Sequence, residues 1–237
     1  MERVKTGIAG LDELVQGGIP KGSSVLLSGG SGTGKTIFAM QYIYQGAKEL
    51  EEPGLYVTLE GNLKNITWNM QSFNWDIKAL QDKNLIKIYR LNLDSMRHQR
   101  SVEEQIDKEL EIISQMVQEI GAERLVVDST SAFGVWVRDE GALRGILYRF
   151  TNALKDLDCT TILTSETMGG RMQFSAFGVE EFVADGVIAL YFTPPHRSVF
   201  VRKMRGTDHS KTVHPFEITS EGIKISPKDE IMWEAIK

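Results

Sequence analysis

The run Gly29-Gly30-Ser31-Gly32-Thr33-Gly34-Lys35-Thr36 fits the pattern G-x-x-x-x-G-K-[ST], and it constrains the fold more than anything else in the chain. The pattern needs a context: a buried strand must run into the loop and a helix must leave it. Both are present. Ser24-Val25-Leu26-Leu27-Ser28 reads as an apolar strand, and the segment from Lys35 to about Leu50 reads as a helix. The chemistry explains the spacing. Glycines let successive backbone N–H groups curl around phosphate oxygens, the lysine reaches the β and γ phosphates, and the Thr36 hydroxyl is placed to ligate Mg²⁺. The helix that starts here turns its positive end toward the anion. Gly30, Ser31, Gly32, Thr33, Gly34, Lys35, Thr36 and Ile37 are therefore expected to hold the phosphates of ATP, with Mg²⁺ as cofactor.

The rest of the chain repeats the strand-then-helix alternation, which predicts an α/β fold with a mostly parallel twisted sheet flanked by helices. Gly54–Leu59 and Leu85–Tyr89 read as strands, with a helical segment from Asn62 to Phe73 between them. From Ser101 to Ile120 the apolar residues Val102, Ile106, Leu110, Ile113, Val117 and Ile120 recur at steps of three and four and line one helix face. Ser101 with Glu104 fits a capping box, and Gly121 a helix stop. Arg124–Asp128 is a short strand, Glu140–Leu157 a helix and Thr160–Thr164 a strand. After about Gly186 the helices cease: Val187–Phe192, a Thr-Pro-Pro-His turn and Ser198–Lys203 read as adjoining strands. The chain is expected to form one domain over residues 1–237 with a β-rich C-terminal portion.

Outside the phosphate loop, two carboxylates stand at strand ends, where open α/β sheets meet their ligands. Asp128 suits a Mg²⁺ contact, although an acid at a strand end also reads as an ordinary cap. Glu60 suits the group that polarises an attacking water, or else a surface glutamate. Lys203 and Arg205, two apart, project from one face if their strand continues. They either stabilise transition-state charge in a neighbouring subunit's site or merely solvate an edge. None of the four histidines shows metal-ligand spacing, and the four tryptophans read as packing residues rather than a stacking platform. The segment Gly169–Phe174 reads as a loop that either faces solvent or touches a partner.

Composition narrows the classes. A net charge of -5 argues against a globally basic nucleic-acid binder. The single cysteine, Cys159, excludes an intrachain disulfide and a cysteine zinc site. No apolar run approaches the ~20 residues of a membrane span, and the N-terminus lacks the apolar core of a signal peptide. A cytoplasmic protein with no membrane contact is expected.

Several segments together resemble the KaiC branch of the RecA/RadA superfamily. Thr6-Gly7-Ile8-Ala9-Gly10-Leu11-Asp12 with Gly17-Gly18-Ile19-Pro20 is similar to that family's lead-in to the phosphate loop. Glu52–Thr58 and Ser72–Asp76 resemble its second strand and following helix. Gly178–Asp185 and Lys203-Met204-Arg205-Gly206-Thr207-Asp208-His209 resemble two C-terminal signatures of the branch. The resemblance implies a RecA-like ATPase core that forms rings, often hexameric, with ATP between subunits. It places Glu60 at the water-activating glutamate and Lys203 and Arg205 at the pair acting on the neighbour. His209 falls at a residue near the ribose, and Ile218 to Ser220 near the adenine edge. The family commonly carries two adjacent glutamates where this chain has Glu60-Gly61. Val179 to Asp185 contains no Ser or Thr, which argues against an autokinase.

Three functions fit these features. The first is a ring-forming ATPase whose nucleotide state controls assembly or partners, the protein partners being unknown. The second is a RadA-like accessory of DNA repair that binds single-stranded DNA weakly through Arg171 and its neighbours. The stretch before Ser24 is too short for the extra N-terminal domain of a full recombinase. The third, suggested by Gly61, is a scaffold that binds ATP with negligible hydrolysis.

Overall fold

The computed structural model describes residues 1–59, 63–92, 102–167, 170 and 172–236. A two-stranded antiparallel ribbon, β1 (Arg3–Val4) with β2 (Ile19–Pro20), brackets the one-turn helix α1 (Leu11–Leu14). The main succession is β3 (Ser24–Gly29), α2 (Lys35–Glu49), β4 (Gly54–Thr58), α3 (Leu63–Gln71), α4 (Ile77–Asp82) and β5 (Ile86–Arg90). It continues through α5 (Val102–Ile120), β6 (Arg124–Asp128), α6 (Phe133–Trp136), α7 (Glu140–Lys155), β7 (Thr160–Glu166) and α8 (Glu180–Val183). Four strands close it: β8 (Gly186–Thr193), β9 (His196–Met204), β10 (Val213–Thr219) and β11 (Gly222–Ile225).

These strands form one nine-stranded sheet in the order β11-β10-β9-β8-β3-β7-β6-β4-β5. From β5 to β8 all pairings are parallel, and from β8 to β11 they are antiparallel. The expected α/β sheet with a β-rich end is therefore present, with β10 and β11 extending it further than the sequence indicated.

Successive side chains of a strand point to opposite faces, so a strand covered on both sides must be apolar throughout. Val25 and Leu27 enter one core, with α2, and Leu26 enters the other, with α5 and α7. The sheet is thus a shared wall. The face of α5 is seated as its periodicity predicts: Ile106, Ile113 and Val117 are buried, and Val102, Leu110 and Ile120 pack against the same core. Ser101, the expected cap, lies outside the described residues; α7, by contrast, is capped by Asp139, which accepts from the Ala142 N–H at 2.7 Å. Among the tryptophans, Trp75 is buried and stacks on Tyr44, and Trp233 meets Tyr191 and Phe200 edge-on. Trp68 departs from the packing expectation. It is 70% exposed, because α3 buries only Ile66 and Met70. Among the described residues no helix is long and apolar enough to cross a membrane.

Candidate nucleotide-binding site

The parallel strands β3, β6 and β7 end on the same edge of the sheet, and the phosphate loop leaves β3 there. The loop enters α2 through Gly34 at φ +102°, a conformation open to glycine at no steric cost. A Cβ at that position would also come within 3.2 Å of Ile218. Around the loop lies a cavity of 460 Å³ whose walls include Ser31, Gly32, Gly34, Lys35, Thr36 and Ile37 from the motif. Gly30 and Thr33 shape the loop from behind: the Gly30 carbonyl accepts from the Thr33 hydroxyl at 2.8 Å.

Lys35, almost buried, donates from Nζ to the carbonyls of Gly29 at 2.8 Å and Gly30 at 3.0 Å. Its ammonium is thereby held against the loop, 3.6 Å from a Glu166 carboxylate oxygen at the end of β7. Asp128 ends β6 facing the start of α2. Its Oδ2 accepts from the Thr36 hydroxyl at 3.0 Å and from Tyr56, and its Oδ1 accepts from the Thr164 hydroxyl at 2.5 Å. Burial, with the Asp128 charge beside it, pushes the Tyr56 hydroxyl well above the ordinary tyrosine value, so it remains a donor. Three hydroxyls from α2, β4 and β7 thus fix one carboxylate. Thr36 and Asp128 present hydroxyl and carboxylate oxygens together, the donor chemistry that hard divalent cations take.

The other expected residues are distributed as follows. Glu60 lies outside the described residues, two positions beyond Thr58, the cavity-lining end of β4. Lys203 donates from Nζ to the carbonyls of Glu181 at 2.9 Å and Ala184 at 2.6 Å, and burial, then Arg205, lowers its ammonium below the ordinary lysine value. β9 ends at Met204, so Arg205 belongs to the following turn rather than to a continued strand. Its guanidinium still reaches the same junction, donating to Asp185 at 3.1 Å. Both side chains sit at the Gly186 end of β8, which pairs with Val25, whereas the phosphate loop leaves from the Gly29 end. That separation is roughly 13 Å along the strands.

Ile218 lines the cavity. Ser220 lines a separate hollow with Tyr44, Lys48 and Trp75, and His209 contacts the carbonyl of Ser210 at 2.7 Å, away from the cavity wall. The cavity also contains residues that sequence patterns did not single out: Ile66 from α3, Ser129 and Arg197. Arg197 comes from β9, far along the chain, and no local motif marks it. His98 and Arg171 lie outside the described residues. His214 is buried between the Ser210 hydroxyl at 2.6 Å and the Asp229 carbonyl at 2.8 Å, a packed position away from the cavity.

The family model described as "ATPase: KaiC" matches residues 4–230. A UPF0273 protein of Pyrococcus horikoshii is 38% identical over 236 residues, covering 95% of this chain and 94% of that protein. The circadian clock oscillator protein KaiC of Parathermosynechococcus lividus is 37% identical over 227 residues, covering 94% of this chain and 42% of that protein. Among solved structures, a KaiC-like protein of P. horikoshii OT3 superposes with a TM-score of 0.85 at 41% identity, covering 95% of this chain and 99% of that one. The RecA-type fold expected from the resemblance is shared with that structure.

Proposed function

The chain belongs to the KaiC ATPase family, and from that premise we propose that it hydrolyses ATP to ADP and phosphate at sites completed by a neighbouring copy of itself. The observation that carries this reading is the convergence of Lys35, Thr36 and Asp128 on one cavity at the sheet edge. The loop amides and Lys35 hold the phosphates, and Thr36 with Asp128 would hold Mg²⁺. When bound, Mg²⁺ withdraws charge from the phosphoryl oxygens. Glu60 takes a proton from the water whose oxygen attacks the γ-phosphorus while the bond to the β–γ bridging oxygen breaks. Lys203 and Arg205 lie too far along the sheet to reach their own cavity, which supports a role in the neighbour's site and hence a closed ring. Nucleotide turnover then alters the contacts between copies. No observation on the described residues favours single-stranded DNA as a ligand.

Calorimetry and phosphate release on two variants test this. Lys35→Ala should abolish ATP binding at concentrations that saturate the parent, because no other loop residue supplies a charge to the phosphates. Glu60→Gln should keep affinity within a few fold and slow hydrolysis by ~10²-fold or more. Near-parental affinity in Lys35→Ala would sink the phosphate-loop assignment. Parental turnover in Glu60→Gln would transfer the base role to Glu166, and binding without any release in the parent would establish the scaffold reading.

A further inference from the structure

We infer that Glu180 is a positioning residue for Lys203, fastening α8, whose carbonyls hold the Lys203 ammonium, to the end of β7 at the nucleotide cavity; this rests on the ATP-hydrolysis reading above. Glu180 opens α8 and is fully buried, and among the described residues no lysine or arginine pairs with it. A carboxylate taken out of water without a counter-charge costs stability unless donors supply its oxygens. Here both oxygens are supplied. Oε1 accepts from the Ser165 hydroxyl at 3.0 Å and Oε2 from the Val179 N–H at 3.3 Å. The Thr130 hydroxyl, two residues beyond Asp128, divides its proton between Oε1 at 3.5 Å and the Thr164 carbonyl at 3.0 Å. Ser165 is itself fully buried, and its Oγ accepts from the Ala176 N–H at 3.0 Å. One carboxylate thus joins β7, the segment after β6, the loop after β7 and the start of α8.

Both sides of this joint bear on the chemistry. Ser165 pairs with Ser28 in the sheet and precedes Glu166, which stands 3.6 Å from the Lys35 ammonium in the cavity. On the other side, the Lys203 ammonium is held by the carbonyls of Glu181 and Ala184. Four residues of helix have too few internal hydrogen bonds to keep their own place, so the seat of α8 depends on its anchors. Besides Glu180 these are the Glu181 carboxylate, which accepts from Ser175 at 2.8 Å, and the Val183 carbonyl, which accepts from Lys155 at 2.9 Å. Of the three anchors, only Glu180 reaches the strand that ends at the cavity. A cation that must meet a phosphate oxygen tolerates little displacement: about 1 Å can cost ~10²-fold in rate. Glutamine keeps the volume of Glu180 but sets an NH₂ group where acceptors are needed, opposite either the Val179 N–H or the Ser165 hydroxyl. It loosens the joint and leaves the packing in place.

The test is a double-mutant cycle of Glu180→Gln with Lys203→Ala, read by calorimetry with ATP and by single-turnover phosphate release. Glu180→Gln should keep ATP affinity within about twofold and slow phosphate release by ~10-fold or more, as for a displaced catalytic group. In the Lys203→Ala background the same substitution should cost no more than about twofold, because the group it positions is gone. Ser165→Ala removes the donor and leaves α8 unaltered. It should show the same non-additivity, and it carries the test if circular dichroism finds Glu180→Gln unfolded. A loss as large in Lys203→Ala as in the parent would make Glu180 a support of the fold alone and would overturn the inference. So would parental phosphate release in Glu180→Gln, or a weakening of ATP binding as large as the loss of release. A parent that binds ATP without releasing phosphate overturns the hydrolysis reading instead.

Discussion

Asp185 gathers three segments on one carboxylate: the Ser24 N–H donates to it at 3.1 Å, Lys155 at 3.2 Å and Arg205 at 3.1 Å. Burial pushes this carboxyl up, but the Ser24 N–H and the charges of Lys155 and Arg205 more than offset it, leaving it below the ordinary carboxylate value. A carboxyl depressed in the folded state contributes stability that is present above its unfolded value of about 4 and is lost as pH falls through the lower folded value. Asp185→Asn should thus lower the urea midpoint at neutral pH by the equivalent of roughly 1–3 kcal/mol and flatten the acid limb of the stability curve. Parallel curves for parent and variant down to about pH 3 would show that other carboxylates govern acid unfolding. The same substitution frees Arg205, so its effect on turnover should exceed its effect on ATP affinity.

At the scale of elements, α2 depends on a glycine in its last turn. Arg124, fully buried on β6, donates to Glu52 at 2.7 Å and to the carbonyls of Tyr42 at 2.9 Å and Lys5 at 2.8 Å, with its guanidinium 4.5 Å from the Tyr42 ring centre. A Cβ at Gly46 would collide with that guanidinium. Alanine ordinarily strengthens a helix interior by ~1 kcal/mol over glycine, but here the tip it meets is pinned by four groups and cannot swing aside. Gly46→Ala should therefore destabilise by about 1–3 kcal/mol in urea unfolding; a stabilised variant would show that the Arg124 cluster yields. Legibility in the sequence follows the same logic of local against distant causes. β3, β6 and α5 were readable because burial on two faces or on one stripe imposes a pattern on neighbouring residues. The helices α4, α6 and α8 were not, since four to six residues leave little periodicity. Lys35, Thr36 and Asp128 were legible from spacing and strand ends. Arg197 and Ile66 were not, because only the folded hairpin and the seat of α3 bring them to the cavity. The exposure of Trp68 was hidden for the same reason: residue type favours burial, and the packing of α3 decides otherwise.

For the whole molecule, the sheet sets the nucleotide cavity at one end and the Lys203–Arg205 pair at the other, and under the proposed function each copy would offer half a site in either direction. If the pair serves the neighbour, mixing Lys35→Ala with Arg205→Ala subunits should restore part of the lost hydrolysis. Each variant supplies what the other lacks, and in random rings about a quarter of the interfaces combine correctly. Light scattering with and without ATP and Mg²⁺ establishes that the mixtures assemble and exchange; assembled mixtures without recovery would place the pair's action within its own chain. The strand order has another consequence, this one for biosynthesis. β3 is the first strand of the sheet to be made, yet its two neighbours arrive late: Val25 pairs with Ile162 on one side and Gly186 on the other. A ribosome therefore releases an apolar strand with both edges open well before either partner exists. Closure of such long loops is slow, and an uncovered edge invites pairing with other chains. The nascent protein is thus most vulnerable to aggregation during translation of its middle third, and holding that chain unpaired until β8 emerges is the natural task of a chaperone.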